Sequence, residues 1–508
     1  MRIASCIVLL LGIGSSVGAE PKAKPNVVII VADQLGPRDL GCTGSTYYKT
    51  PNLDAFAKRG VKLDEAYVQS IQNRGPHQPK SSYKLLTPVE DAVPEAERPM
   101  GAPAGYELVS QSVWDEAAFR KQAKIAEGKP VFAFIWVTIE PTAEQIGKYK
   151  LGKPGSQGDP TYAAKVEGID RVFGEVVGMA DEILGSDDTI LIFLGRGGNS
   201  VEWKPNEPTT SNAPYREGVG YLYEGGLRIP FLIRGPGIKA GGFPFEMDDL
   251  VPSIRGFCNA APEPMDKGVD RSAQFRGEAK PDPNRAFHWH YPHYSRQFGK
   301  PGGAIRVGTM KLIEYFEDGR RELFDLSKDI GESRNLAADR PEVVKELAAK
   351  LAAWRKEVGA KMPTPNPDYA PNPQAKDGSI TLHARTASVT GSQLRFEPAP
   401  HKNTLGYWTN VADTARFDFT VTTPGTFIVN VLQGAGKGSG GAEVELAVGD
   451  SKATFAVKDT GGFQAFEKRE IGELMIAKAG MHTLIVTAKT KPGVAVMDLR
   501  EVTLTLKK

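Results

Sequence analysis

The sequence predicts an α/β domain with a mostly parallel sheet flanked by helices and a small antiparallel subdomain at its C-terminal end, followed by an antiparallel β-sandwich. Three observations predict this order. Apolar, β-branched runs alternate with helical patterns, a proline-rich stretch then interrupts the sequence, and the remainder consists of alternating segments split by glycine-rich turns. The predicted boundaries are 25–361 for the first domain, 362–378 for a linker and 379–508 for the sandwich.

The first residues have the pattern of a secretory signal. Met1 and Arg2 precede an apolar stretch from Ile3 to Ile13, which small residues follow up to Ala19. The stretch is shorter than the roughly 18 apolar residues that cross a bilayer. We therefore expect residues 1–19 to be a signal peptide cleaved after Ala19, no membrane span, and a secreted or periplasmic protein.

Overall charge and cysteine content exclude some classes of protein. Lys and Arg total 63 and Asp and Glu total 61, which gives a formal net charge of +2. This balance argues against a nucleic-acid partner and against binding to membrane surfaces through bulk charge. After the signal only Cys42 and Cys258 remain, too few for a disulfide framework, and the sequence leaves open whether they pair.

The first domain begins with a strand pattern from Asn26 to Asp33. The run is continuous, apolar and rich in β-branched residues, which is typical of a strand buried on both faces. Similar strand patterns occupy 130–137, 189–194 and 229–234, and helical patterns occupy 50–59 and 159–184. Because ligands of such sheets bind beyond the carboxyl ends of the strands, Asp33, Thr142 and the turn at 195–198 are predicted to converge on one crevice.

The end of the first domain changes to short extended segments. Turns at Gly302-Gly303 and Asp318-Gly319 predict a small antiparallel sheet, and a charged amphipathic helix is predicted over 341–358. Together they form a subdomain of about 299–361. Residues 362–378 contain five prolines among polar residues, which predicts the linker.

The sandwich is predicted from alternating apolar and polar residues, for example over 416–421, 426–432, 442–448 and 483–488. It resembles the carbohydrate-binding modules of secreted polysaccharide-active enzymes. That resemblance makes Tyr407 and Trp408 candidates for binding sugar rings. The alternative is that these aromatic side chains belong to the sandwich core.

Eight short blocks follow one another in a fixed order in the first domain: Pro25–Gly36, Asp39–Gly44, Lys49–Asp54, Glu167–Asp170, Thr189–Phe193, Tyr223–Pro230, Trp289–His293 and Gly308–Gly319. By this ordered set the domain resembles the formylglycine-dependent, arylsulfatase-like sulfatases of the alkaline-phosphatase-like superfamily. The resemblance implies the fold of a sulfuric ester hydrolase and an activity on sulfated polysaccharides or other sulfate esters.

The same resemblance implies a calcium ion held by two adjacent acids after the first strand and by an Asp-Asn pair after a later one. Here the two acids correspond to Asp33 and Gln34, and the later pair corresponds to Arg196 and Gly197. A guanidinium group repels the cation whose ligand it replaces. We therefore expect Asp33 and Gln34 to be the remnant of a metal site and the protein to need no cofactor; calcium is the cofactor if the site still functions.

The resemblance places the catalytic motif at Ser70, with Arg74 four residues later. Gln72 replaces the proline that formylglycine-generating enzymes recognise, so we expect Ser70 to remain unmodified. The alternative is that Ser70 is an ordinary loop serine. Lysine and histidine positions of the family's site are also changed, because Thr142 and Val219 stand where the family has His and Lys.

Cationic side chains remain and are assigned to substrate binding: Arg196, Lys311 and His290. By the resemblance Lys311 lies near the pocket rim, although it has the pattern of an ordinary solvated lysine. His288 and His290 alternate on a strand and so share a face, which suits a metal, whereas packing or structural hydrogen bonding is the commoner role of such histidines.

Two functions follow. In the first, the protein is a catalytically impaired sulfatase homologue that binds a sulfated or acidic polysaccharide through Arg196 and the sandwich. In the second, it is a divergent active hydrolase of sulfuric or phosphoric esters that uses either Ser70 directly or another residue that the sequence does not identify. A third possibility for Arg196 alone is that it pairs with Asp33 and closes the former metal site.

Overall fold

The computed structural model describes residues 24–68, 83–84, 107–111, 115–125, 130–152, 157–196, 210–263, 268–295, 299–317, 319–365, 370–390, 393–397 and 401–507. The predicted signal peptide, Ser70 and Arg74 lie outside these residues. The predicted fold class is confirmed.

The first domain contains thirteen strands and eight helices in the described part of the chain. The strands are β1 (Asn26–Asp33), β2 (Val61–Tyr67), β3 (Tyr83–Lys84), β4 (Glu107–Gln111), β5 (Val131–Val137), β6 (Thr189–Arg196), β7 (Arg228–Arg234), β8 (Phe245–Glu246), β9 (Ala286–Tyr291), β10 (Gly302–Val307), β11 (Met310–Tyr315), β12 (Arg321–Asp325) and β13 (Thr364–Pro365). The helices are α1 (Pro51–Arg59), α2 (Glu116–Ile125), α3 (Ala143–Gly147), α4 (Pro160–Ala180), α5 (Glu224–Leu227), α6 (Leu250–Phe257), α7 (Ser272–Phe275) and α8 (Pro341–Glu357).

The central sheet has seven strands in the order β4-β5-β1-β6-β7-β2-β8. The first four are parallel, with β1 between β5 and β6, whereas β7 is antiparallel to β6 and to β2. The strand predicted at 229–234 is present as β7, and its antiparallel direction is consistent with a sheet that is mostly parallel. Within the described residues 210–227 that precede β7, the chain forms one short helix, α5, whereas a parallel pair requires a longer crossover connection.

Both faces of the central sheet are covered. Val28 and Ile30 of β1 pack with α1 and α4 on one face, and Val27, Ile29 and Val31 pack toward the small sheet on the other. The burial of alternate residues on opposite faces explains why the sequence of β1 is apolar without interruption. None of the described helices is long and apolar enough to cross a bilayer.

The small sheet has the order β12-β11-β10-β9, and every pair is antiparallel. It starts at Ala286, so it begins before the predicted subdomain boundary at about 299. One face packs on the central domain through Trp289, and the other face packs on α8 through Ile305 and Leu312. Strand β13, within the predicted linker, pairs with β3.

The sandwich consists of eleven strands in the described residues: β14 (Ser379–His383), β15 (Ser388–Thr390), β16 (Arg395–Glu397), β17 (Thr404–Gly406), β18 (Thr414–Val421), β19 (Gly425–Ala435), β20 (Glu443–Val448), β21 (Ser451–Ala456), β22 (Gly462–Ile476), β23 (Gly480–Ala488) and β24 (Asp498–Leu506). One sheet has the order β16-β17-β24-β19-β22, with β14 also on β24, and the other has the order β15-β18-β23-β20-β21. The alternating residues of both sheets enclose one apolar core.

The two cysteines beyond the predicted signal are both free thiols. Cys42 packs with the cluster on the α4 side of the central sheet, and Cys258 is buried in the cluster on the opposite side. The question that the sequence left open is thus answered against a disulfide between them.

Candidate functional site

The candidate crevice lies where β5, β1 and β6 end. Trp136 is paired in register with Val31, and Arg196 is paired with Asp33 two residues further along β1. Since side chains two apart on a strand share a face, Trp136, Asp33 and Arg196 lie on the same face of the sheet. The predicted convergence of Asp33 and Arg196 is therefore present, and the Arg196 guanidinium carbon lies 5.0 Å from the centre of the Trp136 ring.

Gln34 turns away from this group. Its φ of 56° places it in the left-handed region, and its amide N–H donates to the carbonyl of Arg196 at 3.1 Å. Its side-chain oxygen accepts a hydrogen bond from the Lys165 ammonium at 3.2 Å, and its carbonyl accepts one from Tyr162 at 2.6 Å. The side chain of Gln34 is thus held toward α4, on the opposite side of the sheet from Asp33.

The donor set at these strand ends does not fit a calcium ion. Calcium requires six to eight oxygen ligands, several of them carboxylate. Asp33 supplies one carboxylate, the Gln34 oxygen is already bound to an ammonium group, and Arg196 brings a positive charge. Within the residues that the structure describes, no group of three or more His, Cys, Asp or Glu side chains is arranged to hold a metal.

Asp33 does not pair with Arg196. The Asp33 carboxylate is half-buried, and the described residues include no ion pair between it and Arg196. The guanidinium lies on the indole of Trp136 instead. The possibility that Arg196 closes the former metal site by pairing with Asp33 is therefore wrong.

Thr142 caps a short helix near the end of β5. Its hydroxyl accepts a hydrogen bond from the Gln145 amide at 3.3 Å, and the Gln145 side chain accepts one from the Thr142 amide at 2.7 Å. This reciprocal arrangement is a capping box. Thr142 therefore stabilises the start of α3, and its predicted convergence on the crevice stays a prediction.

The segment that leads to Ser70 is firmly anchored. Val68 donates its amide N–H to the Leu227 carbonyl at 2.9 Å and accepts a hydrogen bond from the Trp289 indole at 3.4 Å. Both contacts lie at the end of β2, two residues before Ser70. The assignments of Ser70 and Arg74 fall outside the described residues and remain predictions.

Lys311 lies in the protein interior and not at a pocket rim. Its side chain is 0% exposed, and its ammonium contacts Glu224 at 2.9 Å and Glu332 at 2.8 Å. The assignment of Lys311 to substrate binding is wrong, because two buried carboxylates already surround the charge. The alternative of a solvated lysine is wrong for the same reason.

Lys311 belongs to a buried charge network that joins the two sheets of the first domain. Glu224 also accepts hydrogen bonds from Arg228 at 2.5 Å and from Tyr67 at 2.9 Å. Burial raises the pKa of Glu224, but Lys311 and Arg228 outweigh burial and together hold that pKa below its ordinary value. Burial raises the pKa of Glu332 to about 7, and Lys311 opposes that rise.

The network explains the Tyr-Glu-Gly-Gly block. A Cβ atom on Gly225 would lie 2.2 Å from the Glu217 carbonyl oxygen, and one on Gly226 would lie 2.3 Å from the Tyr221 carbonyl oxygen. Side chains at these two positions would push the turn apart. The two glycines therefore let the chain fold tightly enough to bury Glu224.

His290 is also a structural residue. Its ring is 2% exposed and its Nε2 donates to the carbonyl of Lys361 at 2.8 Å, while His288 stacks on Trp354 with ring centres 4.8 Å apart. Burial lowers the pKa of both histidines. The two rings share a face, as predicted, but His290 cannot reach substrate because it is enclosed on the α8 side of the small sheet.

The neighbouring aromatic residues of the sandwich differ in position. Trp408 is 0% exposed in the core and its indole donates to the Asp413 carbonyl at 3.2 Å, so its assignment to sugar binding is wrong. Tyr407 is 45% exposed, and the Arg395 guanidinium carbon lies 3.5 Å from its ring centre. A role of Tyr407 in binding sugar remains a prediction.

The sequence interpretation missed Trp136 and Lys165. Trp136 is the second-to-last residue of β5, in an apolar run where the sequence does not distinguish it from a core residue. The available signal was that Trp136 lies near the end of a strand predicted to border the crevice. Lys165 lies inside the pattern of α4, and its contact with Gln34 depends on packing between elements distant in sequence.

Comparison with known proteins gives consistent results. The Sulfatase family model matches residues 70–254. A sulfatase of Formosa agariphila is 28% identical over 263 residues, which is 44% of this chain and 46% of that protein. An N-acetylgalactosamine-6-O-sulfatase of Bacteroides thetaiotaomicron is 29% identical over 222 residues, which is 42% of this chain and 37% of that protein.

The fold is similar to that of the solved structure of Ps i-CgsB, with a TM-score of 0.50 at 18% identity over 65% of this chain and 92% of that one. The matches to the two curated relatives span less than half of their length.

Proposed function

Because this chain belongs to the sulfatase family, we propose that it binds sulfated or acidic glycans in the crevice at the ends of β5, β1 and β6 without hydrolysing them. One observation carries the proposal. Arg196 stands in register with Asp33, and its guanidinium lies over Trp136, where the family resemblance calls for oxygen ligands of a metal ion. The site thus offers positive charge from the protein itself.

The chemistry of Arg196 and Trp136 suits an acidic sugar. A guanidinium group presents several N–H donors in a planar fork that matches the oxygens of sulfate or carboxylate. An indole ring beside it offers an apolar surface to the C–H face of a sugar ring. The name of the Bacteroides relative, an N-acetylgalactosamine-6-O-sulfatase, supports the choice of sulfated aminosugar glycans as ligands.

We also propose that the protein is exported. The apolar stretch from Ile3 to Ile13, followed by small residues up to Ala19, supports a cleaved signal. Export would place the protein where extracellular polysaccharides occur.

The proposal predicts that purified protein carries less than about 0.1 equivalent of calcium, since a hard cation prefers a cage of several oxygens. Lys165 occupies the Gln34 oxygen, and the Arg196 charge opposes a cation beside Asp33. Elemental analysis after gel filtration in calcium-containing buffer measures this. One equivalent of bound calcium would contradict the proposed loss of the metal site.

Titration of the wild-type protein tests the proposed binding. The probes are a chondroitin 6-sulfate hexasaccharide and its uncharged counterpart, which is desulfated and carboxyl-reduced. We expect the charged probe to bind at least about tenfold more tightly, because a charge-assisted hydrogen bond contributes on the order of 1.5–3 kcal/mol. The affinity should fall as salt rises. Equal affinity for both probes would refute an anion site.

A further inference from the structure

Two arginines from different domains meet at one turn of the chain. Arg216, in the segment between β6 and α5, donates to the Glu332 carbonyl at 3.0 Å. Arg395, the first residue of β16 in the sandwich, donates to the Ser333 carbonyl at 3.1 Å. Successive Cα atoms are 3.8 Å apart, so the two guanidinium groups are fixed on neighbouring peptide units at the junction of the domains.

Neither arginine forms an ion pair within the part of the chain that the structure describes. Each is half-buried and lies on a tyrosine ring, Arg216 at 3.9 Å from the centre of Tyr223 and Arg395 at 3.5 Å from the centre of Tyr407. Burial lowers the pKa of Arg395, and repulsion from Arg216 acts in the same direction.

The carboxylates near these arginines are engaged elsewhere. Glu322 pairs with Arg320 at 3.1 Å, and Glu397 pairs with Lys402 at 2.7 Å. Burial raises the pKa of Glu217, the residue after Arg216, to about 7, which weakens its negative charge at neutral pH. Although burial opposes it, Tyr223, Glu322 and Glu217 raise the pKa of Arg216 and favour its charged form. The junction therefore holds two charged guanidinium groups that form no direct ion pair within the described residues.

We propose that Arg216, Arg395 and Tyr407 form a second anion site, at the junction of the two domains, that takes a sulfate or carboxylate group of an acidic glycan. The inference rests on the proposed glycan binding and adds a subsite to it. An anion between the guanidinium groups relieves their repulsion and uses their remaining N–H donors. The exposed part of the Tyr407 ring offers a surface for the adjoining sugar.

The test uses full-length Arg216→Gln and Arg395→Gln variants titrated with the chondroitin 6-sulfate hexasaccharide. Each is expected to bind it at least about fivefold more weakly than wild type, with unchanged affinity for the uncharged counterpart. Arg469→Gln is the matched control, because Arg469 lies on β22, at the opposite edge of the sheet from β16, with its guanidinium carbon 5.9 Å from the Phe455 ring centre and an N–H donated to the Ala456 carbonyl at 2.9 Å. It should bind like wild type. The desulfated probe that keeps its carboxylates shows which anion is recognised.

Two results would overturn the junction site. One is wild-type affinity in both variants. The other is an equal loss for charged and uncharged probes, which would mean that the arginines only dock the sandwich. Arg395→Lys keeps the charge without the planar fork and should retain more affinity than Arg395→Gln, even if docking is weakened.

These variants distinguish failure of the crevice proposal from failure of the junction proposal. Loss of binding in the Arg395 variant alone supports the junction and removes the crevice proposal at Arg196. Loss of binding in an Arg196 variant alone supports the crevice and removes the junction site.

Discussion

Replacement of Lys311 by Met is expected to lower the free energy of unfolding of the first domain by about 3–5 kcal/mol. The substitution leaves Glu224 and Glu332 facing each other in the interior, because Lys311 contacts both at less than 3 Å and all three side chains are fully buried. Burying a carboxylate without a counter-charge destabilises the fold, and the packing of a methionine of similar size does not offset that cost. Urea unfolding followed by tryptophan fluorescence measures the change.

Lys328→Met is the matched control. Lys328 is 77% exposed and pairs with Asp325 at 3.9 Å, so its loss should cost no more than about 1 kcal/mol. Equal stability of the Lys311 variant and wild type would mean that Lys311 does not support the fold.

Replacement of Arg196 by Asp is expected to weaken binding of the chondroitin 6-sulfate hexasaccharide by at least about tenfold. The change removes a cation at the crevice and places a second carboxylate in register with Asp33, so both effects oppose an anion. Titration calorimetry at about 0.1 M salt measures the affinity, and the difference from wild type should shrink as salt increases.

Arg171→Asp provides the control for net charge. Arg171 is 60% exposed on α4 and pairs with Glu175 one helical turn away, so this variant changes the total charge by the same amount without touching the crevice. Its affinity should match that of wild type. Wild-type affinity in the Arg196 variant would place the anion elsewhere, and the junction at Arg395 is the first place to examine.

The backbone of the sheets followed from the sequence because local patterns determine it. Continuous apolar runs predicted β1, β5 and β6, and the rule that ligands bind at strand ends brought Asp33 and Arg196 together before their register was known. The direction of β7 did not follow, because a buried strand has the same composition in either direction.

The roles of single side chains were harder to predict. Lys311 has the local pattern of a surface lysine on an alternating strand, and only its partners Glu224 and Glu332, 87 residues before it and 21 after it, make it a core residue. Tyr407 and Trp408 are neighbours in sequence, and which of them enters the core depends on the path of the chain after β17. Such choices are made by tertiary packing, which composition does not encode.

Release of inorganic sulfate during binding distinguishes a glycan-binding protein from an active sulfatase. Wild-type protein is incubated with an excess of the chondroitin 6-sulfate hexasaccharide at a concentration that calorimetry shows to be saturating, in buffer with calcium. Ion chromatography then follows free sulfate over a day. We expect a bound complex and less than about one sulfate released per protein molecule. Release of many sulfates per molecule would show that the chain is an active sulfatase and would refute binding without hydrolysis.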